Sequence, residues 1–274
     1  IYLIFLFNTK IHIKKDIEDL NIGTSIVGEI PLLNENESKI FQNPEDRNVL
    51  AESFRILSSN INYLIPENTG TTDGRVILST STIKGEGKSF VAINISLALA
   101  SIGKKVLLIG ADLRNPQLHK YLSVNKEIEG LTSYLIDSNY DWKSTVLNKF
   151  KHLPNHSTLL AGNIPPNPAQ LLSNGNFEKI ISQAKEEYDY IIIDTAPTLL
   201  VTDTLLISDN ADTIVYVSRS NFTEKELLNF PKDLIKEAKL KNVGLVLNGV
   251  GANAKYGYGY NYGYGYGYSN SEDS

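Results

Sequence analysis

The chain has 274 residues, 42% of them hydrophobic, and a formal net charge of −5, which suits one substantial α/β domain with appendages. The acidic balance argues against a surface that tracks nucleic-acid phosphates, since that would show as a basic excess. With no cysteine in the sequence, disulfides, thiolate metal sites and cysteine nucleophiles are excluded.

The opening IYLIFLF is seven consecutive apolar residues, followed by Lys10, Lys14 and Lys15, and no methionine occurs anywhere in the chain. Seven residues fall short of the ~20 that a bilayer span needs, but an apolar run closed by lysines reads as the cytoplasmic exit of a membrane helix. Residues 1–35 are therefore expected to hold the end of a truncated membrane helix and a juxtamembrane linker, with a buried strand or an amphipathic start as the alternative. Within that stretch DIEDLNIGTSIVGEIPLL reads as a short helix and a strand closing on Pro31, and Asn34 to Pro44 as a polar loop.

Leu50, Phe54, Leu57, Ile61 and Leu64 recur at spacings of four and three, predicting a helix over about 45–64 with one apolar face. Glu52 and Arg55 lie three apart on the outer surface. Spacing alone favours a solvated ion pair there over a contact with another subunit.

From Arg75 onward the runs VILST, VLLIGA, YIIID, TIVYVS and VGLVLN are near-continuous apolar strands with helical stretches between them. They predict an α/β fold, a doubly wound and mainly parallel sheet with helices on both faces. Ligands of such sheets sit at the carboxyl ends of the strands. There the first run is followed by GEGKS, the second half of a Walker A loop, in which backbone N–H groups and a helix N-terminus cradle phosphates. The nucleotide-binding set is Gly85, Glu86, Gly87, Lys88, Ser89 and Phe90. Lys88 is expected to reach the β- and γ-phosphates of ATP and Ser89 to bind Mg²⁺, while Thr82 replaces the first glycine of the pattern. VLLIGADLRNP ends a strand near Asp112 and Arg114, and YIIID ends one on Asp194, the Walker B arrangement. His12, His119, His152 and His156 lack metal-ligand spacing. Trp142 and Tyr140 read as helix packing, and Asn248 either faces an adenine or closes its own loop.

Walker A, then D-x-R-x-P, then the Walker B strand and a terminal tyrosine cluster, in this order, resemble the bacterial tyrosine kinases. These are cytoplasmic kinase domains of exopolysaccharide and capsule co-polymerases, and the P-loop NTPase type of fold comes with the resemblance. RNPQLHKYL, LLAGNIPPNPAQLL and TAPTLLVTDTLLIS also resemble family segments. The resemblance implies an ATP-dependent protein-tyrosine autokinase, residues 36–255, on the cytoplasmic side of the inner membrane, which phosphorylates its own tail in trans within a ring of identical subunits. A tyrosine phosphatase and polysaccharide export and polymerisation proteins are the implied partners. By the same resemblance Lys88, Asp112 and Asp194 are catalytic, Ser89, Asp112 and Asp194 are the magnesium ligands, and Glu52 and Arg55 match a ring-forming E-x-x-R-x-x-R motif.

Two positions depart from the family pattern. Ser58 stands where the second arginine of that motif belongs, and Gly110 stands where D-x-D-x-R has its first aspartate, which leaves Asp112 alone near the acceptor. A catalytically weak or silent nucleotide-binding scaffold of the same machinery is the first alternative. A ParA/MinD-like ATPase is another, although its signature lysine falls at Ile83, with Lys84 one residue out of register, and it gives no reason for a tyrosine tail.

That tail, residues 256–274, carries Tyr256, Tyr258, Tyr260, Tyr262, Tyr264, Tyr266 and Tyr268. Glycine at five of the six intervening positions favours a flexible segment over a strand, and the tail could extend by ~60 Å at ~3.3 Å per residue. These tyrosines are the expected phosphoacceptors. Modifying all seven adds roughly −10 to −14 of charge, which is expected to oppose ring assembly.

Overall fold

The computed structural model describes residues 9–34, 39–41, 43, 45–65 and 73–251. The opening apolar run and the tyrosine tail lie outside these residues. No helix among the described residues is long and apolar enough to cross a membrane.

Seven strands form one sheet, β1 (Ile26–Pro31), β2 (Arg75–Ser81), β3 (Val106–Gly110), β4 (His156–Leu159), β5 (Tyr190–Asp194), β6 (Thr213–Arg219) and β7 (Val243–Val250), in the order β1-β7-β6-β2-β5-β3-β4. All neighbours are parallel. This is the doubly wound fold that the apolar runs predict. β2, β3, β5 and β6 are buried over nearly their whole length, because each packs a hydrophobic layer on both faces.

Two helices build the layer that carries the glycine-rich loop: α2 (Val49–Asn62) and α3 (Lys88–Ser101), which follow the short N-terminal helix α1 (Lys14–Glu18). From Val91 to Ala100 every residue of α3 is buried, as a helix that is apolar all round must be. Its polar side chains are satisfied locally. Asn94 accepts from the amide of Phe41 at 2.7 Å and donates to the carbonyls of Phe90 and Lys39. α2 lies outside, with Phe54, Leu57 and Ile61 fully buried beneath it and its amino end capped by Asn48.

One expectation needs correction. The linker placed within residues 1–35 is, from Ile11 to Pro31, part of the domain. The helix and strand form as predicted, but the strand is β1, the sheet edge beside β7, and Ile11, Ile17 and Ile22 are buried. Residues 9–11 are stitched to the loop after β6: the amide of Ile11 donates to Thr223 O, that of Asn221 to Ile11 O and that of Lys225 to Thr9 O, at 2.7–2.9 Å. Lys225 Nζ also meets Asp16 at 2.8 Å. The cause is apolar burial of those three isoleucines, which outweighs the polar character of the intervening residues.

Candidate active site

The carboxyl ends of β2, β3 and β5 meet at one edge of the sheet. Strand register aligns them, pairing Asp194 with Ser79 on one side and with Gly110 on the other. After Ser81 the chain turns through Gly85 and Gly87, both in the left-handed region at φ of 99° and 104°, and enters α3 at Lys88. Glycine is needed at 87 twice over: for that φ, and because a Cβ there would lie 2.2 Å from Asn248 Nδ2. Thr82, at the departure from the Walker pattern, turns inward and hydrogen-bonds the Tyr216 hydroxyl at 3.0 Å.

The helix N-terminus opens on a cleft of about 920 Å³, walled by Lys84, Gly85, Gly87, Lys88, Ser89 and Phe90 on the loop side and by Lys120, Tyr121, Arg219 and Asn248 elsewhere. Of the expected nucleotide-binding residues only Glu86 is missing from this wall. Its side chain is wholly buried behind the loop.

Lys88 Nζ lies 3.0 Å from Asp112 Oδ2, both side chains nearly inaccessible. Burial acts to lower the lysine pKa, but the Asp194 and Asp112 carboxylates outweigh it and hold the ammonium above its ordinary range. Burial pushes Asp194 up to about 6, opposed by the charge of Lys88 and a hydrogen bond from the Ser89 hydroxyl and aided by the charge of Asp112. Asp194 Oδ1 is buried and has no hydrogen-bond partner among the described residues. Asp112 Oδ1 caps the following turn by accepting from the amide of Asn115. The expected catalytic and metal residues Lys88, Ser89, Asp112 and Asp194 thus lie together.

Gly110 sits at the tip of β3, and a Cβ there would be 3.1 Å from the amide nitrogen of Ala161 and 3.3 Å from Leu118 Cδ1. A side chain at this position requires the turn at Leu160–Gly162 to give way by a few tenths of an ångström. Arg114 points away from the lysine: its guanidinium makes a bidentate pair with the buried Asp203 at 2.7 and 3.0 Å, tying the β3 loop to the helix Asp203–Ile207. The Asn248 side chain braces the loop after β2 rather than its own, Nδ2 donating to the carbonyl of Glu86 at 3.0 Å.

Glu52 and Arg55 form an ion pair at 2.6 Å on the outer side of α2, and the arginine stacks over Phe41. Ser58 faces the core, with a buried hydroxyl lacking a partner among the described residues. Trp142 packs inward and donates from Nε1 to Gln183 at 2.8 Å, on the helix Asn176–Lys185. His156 is buried against Ser96 at 2.8 Å, and burial pushes its pKa down to about 3.

Motif reading misses Arg219 and Thr223, which hold the nucleotide loop from the far side of β6. Arg219 donates to the carbonyl of Gly85 at 3.0 Å and Thr223 to Glu86 at 2.6 Å. Neither belongs to a local pattern, and only the fold brings them to the loop.

The family model described as an AAA domain matches residues 74–242. The tyrosine-protein kinase YwqD of Bacillus subtilis (strain 168) is 35% identical over 205 residues, which cover 75% of this chain and 83% of that protein. Among solved structures, the chimeric protein CapA2B2 is 30% identical with a TM-score of 0.75, covering 86% of this chain and 98% of that one. The MinD septum site-determining protein of Pyrococcus horikoshii OT3, complexed with Mg-ADP, is 23% identical with a TM-score of 0.53 over 64% of this chain and 70% of its own, a likeness of fold alone.

Proposed function

Because the chain belongs to the bacterial protein-tyrosine kinases, we propose that it is an autokinase that uses Mg²⁺ and ATP to phosphorylate the tyrosines between 256 and 268 on neighbouring copies of itself. The observation that carries this reading is the buried Lys88–Asp112 pair beside an Asp194 carboxylate whose Oδ1 lacks a partner among the described residues.

The residues fit a small hard cation, which favours oxygen donors and binds through one or two carboxylates, a hydroxyl and substrate phosphates. Ser89 would hold it directly and Asp194 through water, and Asp112, the other expected ligand, is kept here for the proton. Such an ion supplies neutralisation of charge on the β- and γ-phosphate oxygens. The chain's own groups do the rest. Amides of Gly85 to Ser89 orient the phosphates at the start of α3. Lys88 exchanges its ion pair with Asp112 for the incoming phosphates, which frees Asp112. A tyrosine hydroxyl, with a pKa near ~10, then attacks the γ-phosphorus in line. The new O–P bond forms as the bond to the β–γ bridging oxygen breaks, ADP leaves, and Asp112 takes the phenolic proton.

Ring assembly is supported by the outer side of α2. Val49, Ile56 and Tyr63 are 47%, 53% and 86% exposed there, at heptad spacing beside Glu52 and Arg55, and would contribute apolar contact where Ser58 contributes no arginine. The ring, membrane attachment at the cytoplasmic face, a counteracting phosphatase and control of exopolysaccharide or capsule export form one scheme, in which charge added to the tails separates the subunits. A catalytically silent scaffold is the second reading, and Gly110 is the observation that favours it. Incubation with ATP, followed by phosphotyrosine blotting and mass measurement of the assembly, tests the first. The wild type is expected to gain signal and lose mass, and Lys88→Met to do neither. A phosphotyrosine signal undiminished in Lys88→Met would sink the assignment.

A further inference from the structure

The nucleotide loop is braced by a loop that belongs to no nucleotide-binding pattern. Arg219 ends β6 and residues 220–223 follow it, and contacts from Arg219 and Thr223 converge on Gly85 and Glu86. Thr223 Oγ1 donates to Glu86 Oε1 at 2.6 Å and accepts from the amide of Arg219 at 2.9 Å. The amide of Ile83 donates to Oε2 of the same carboxylate at 2.7 Å, and Arg219 Nη1 donates to the carbonyl of Gly85 at 3.0 Å. Glu86 and Thr223 are both 0% exposed. A carboxylate so buried is tolerated only while its oxygens have donors. Burial raises its pKa, and hydrogen bonds with Thr223, the Ile83 amide, Ser81 and the Thr82 amide act against that rise without cancelling it.

We propose that Thr223 is a positioning residue for the nucleotide loop: by holding the Glu86 carboxylate against the Ile83 amide, it fixes the left-handed turns at Gly85 and Gly87. Those turns aim the loop amides into the cleft. Thr223 is itself immobilised, since its carbonyl accepts from the amide of Ile11 at 2.9 Å. Without the hydroxyl, Glu86 loses its 2.6 Å donor on Oε1 and keeps only those beside Ser81, Thr82 and Ile83 on the loop itself, so it relieves the loss by rotating toward water. The loop turns with it. The sheet does not, so the loss falls on nucleotide affinity and leaves the transfer step alone.

The inference rests on the reading that ATP binds at this loop, and the experiment separates the two. Thr223→Val, Thr223→Ser and Lys88→Met are compared by equilibrium dialysis against ATP, by steady-state kinetics of tyrosine phosphorylation and by thermal melting without nucleotide. Thr223→Val is expected to weaken ATP binding and raise KM about tenfold, with kcat within about twofold, and Thr223→Ser to restore both. An unchanged affinity in Thr223→Val, or a serine variant as weak as the valine, would overturn the inference. If Thr223→Val does not fold, Glu86→Gln is measured in its place, with about a threefold rise in KM expected and no rise overturning the inference. ATP binding retained in full by Lys88→Met would instead overturn the reading of the loop as the ATP site.

Discussion

Two strand tips at the same edge of the sheet are furnished very differently. The loop after β2 is held by Arg219 of β6, Thr223 of the loop that follows it and Asn248 of β7, and its glycines adopt φ values that other residues rarely accept. The tip of β3 carries a bare Gly110 against the backbone of Ala161, and its one remaining carboxylate is engaged with Lys88. The difference separates two tasks that share one cleft. The geometry of the glycine-rich loop is over-determined, whereas Asp112 has no second carboxylate on its own strand tip and shares the lysine only with Asp194 of β5.

The braced tip is the more sensitive of the two. Gly87→Ala would force a Cβ onto Asn248 and hold it at positive φ, so ATP affinity is expected to drop by two orders of magnitude or more, about 3 kcal/mol, by equilibrium dialysis. A drop of less than tenfold would mean that the loop is more pliable than its contacts suggest.

A pH titration tests the tip of β5 between them. Asp194 is raised to about 6 by burial, above the ordinary aspartate value near 3.9, so its neutral form is favoured in the folded protein. The stability it contributes is fully present below about pH 4 and is lost as pH rises through 6. Metal binding has the opposite sign, since it needs the carboxylate. Below pH 6 the Mg²⁺ affinity of the ATP complex is expected to fall about tenfold per unit, and Asp194→Asn to remove that slope. A slope that persists in Asp194→Asn would assign it to another group.

The bare tip should respond least. Gly110→Asp restores a second carboxylate at the cost of moving the turn at Ala161, about 1–3 kcal/mol of stability. A severalfold rise in kcat for tyrosine phosphorylation with unchanged ATP affinity is expected, and a fall in kcat would show that the glycine is part of the working geometry.

Much of the fold was legible from sequence because buried parallel strands announce themselves as apolar runs, and α2 because its leucines and phenylalanine keep helical spacing. The site was legible where the chemistry is local: GEGKS on one turn, Asp194 at the end of YIIID. Long-range pairings were not. β1 reads as an isolated strand because nothing near Ile26 names its partner, and the inward turn of Glu86 depends on a threonine that reaches it only across the folded sheet. Ser58 reads as a missing interface arginine by motif register, yet in α2 that register falls on the buried face.

The pairing of Ile26 with Leu245 also has a consequence in time. Among the described residues β1 is the first strand in chain order, and its one sheet neighbour there, β7, is the last. Contacts so distant along the chain are slow to form, so during synthesis the isoleucines of residues 11–22 wait without the surface that will cover them. Until β7 arrives, this end of the chain is where aggregation and chaperone contact concentrate.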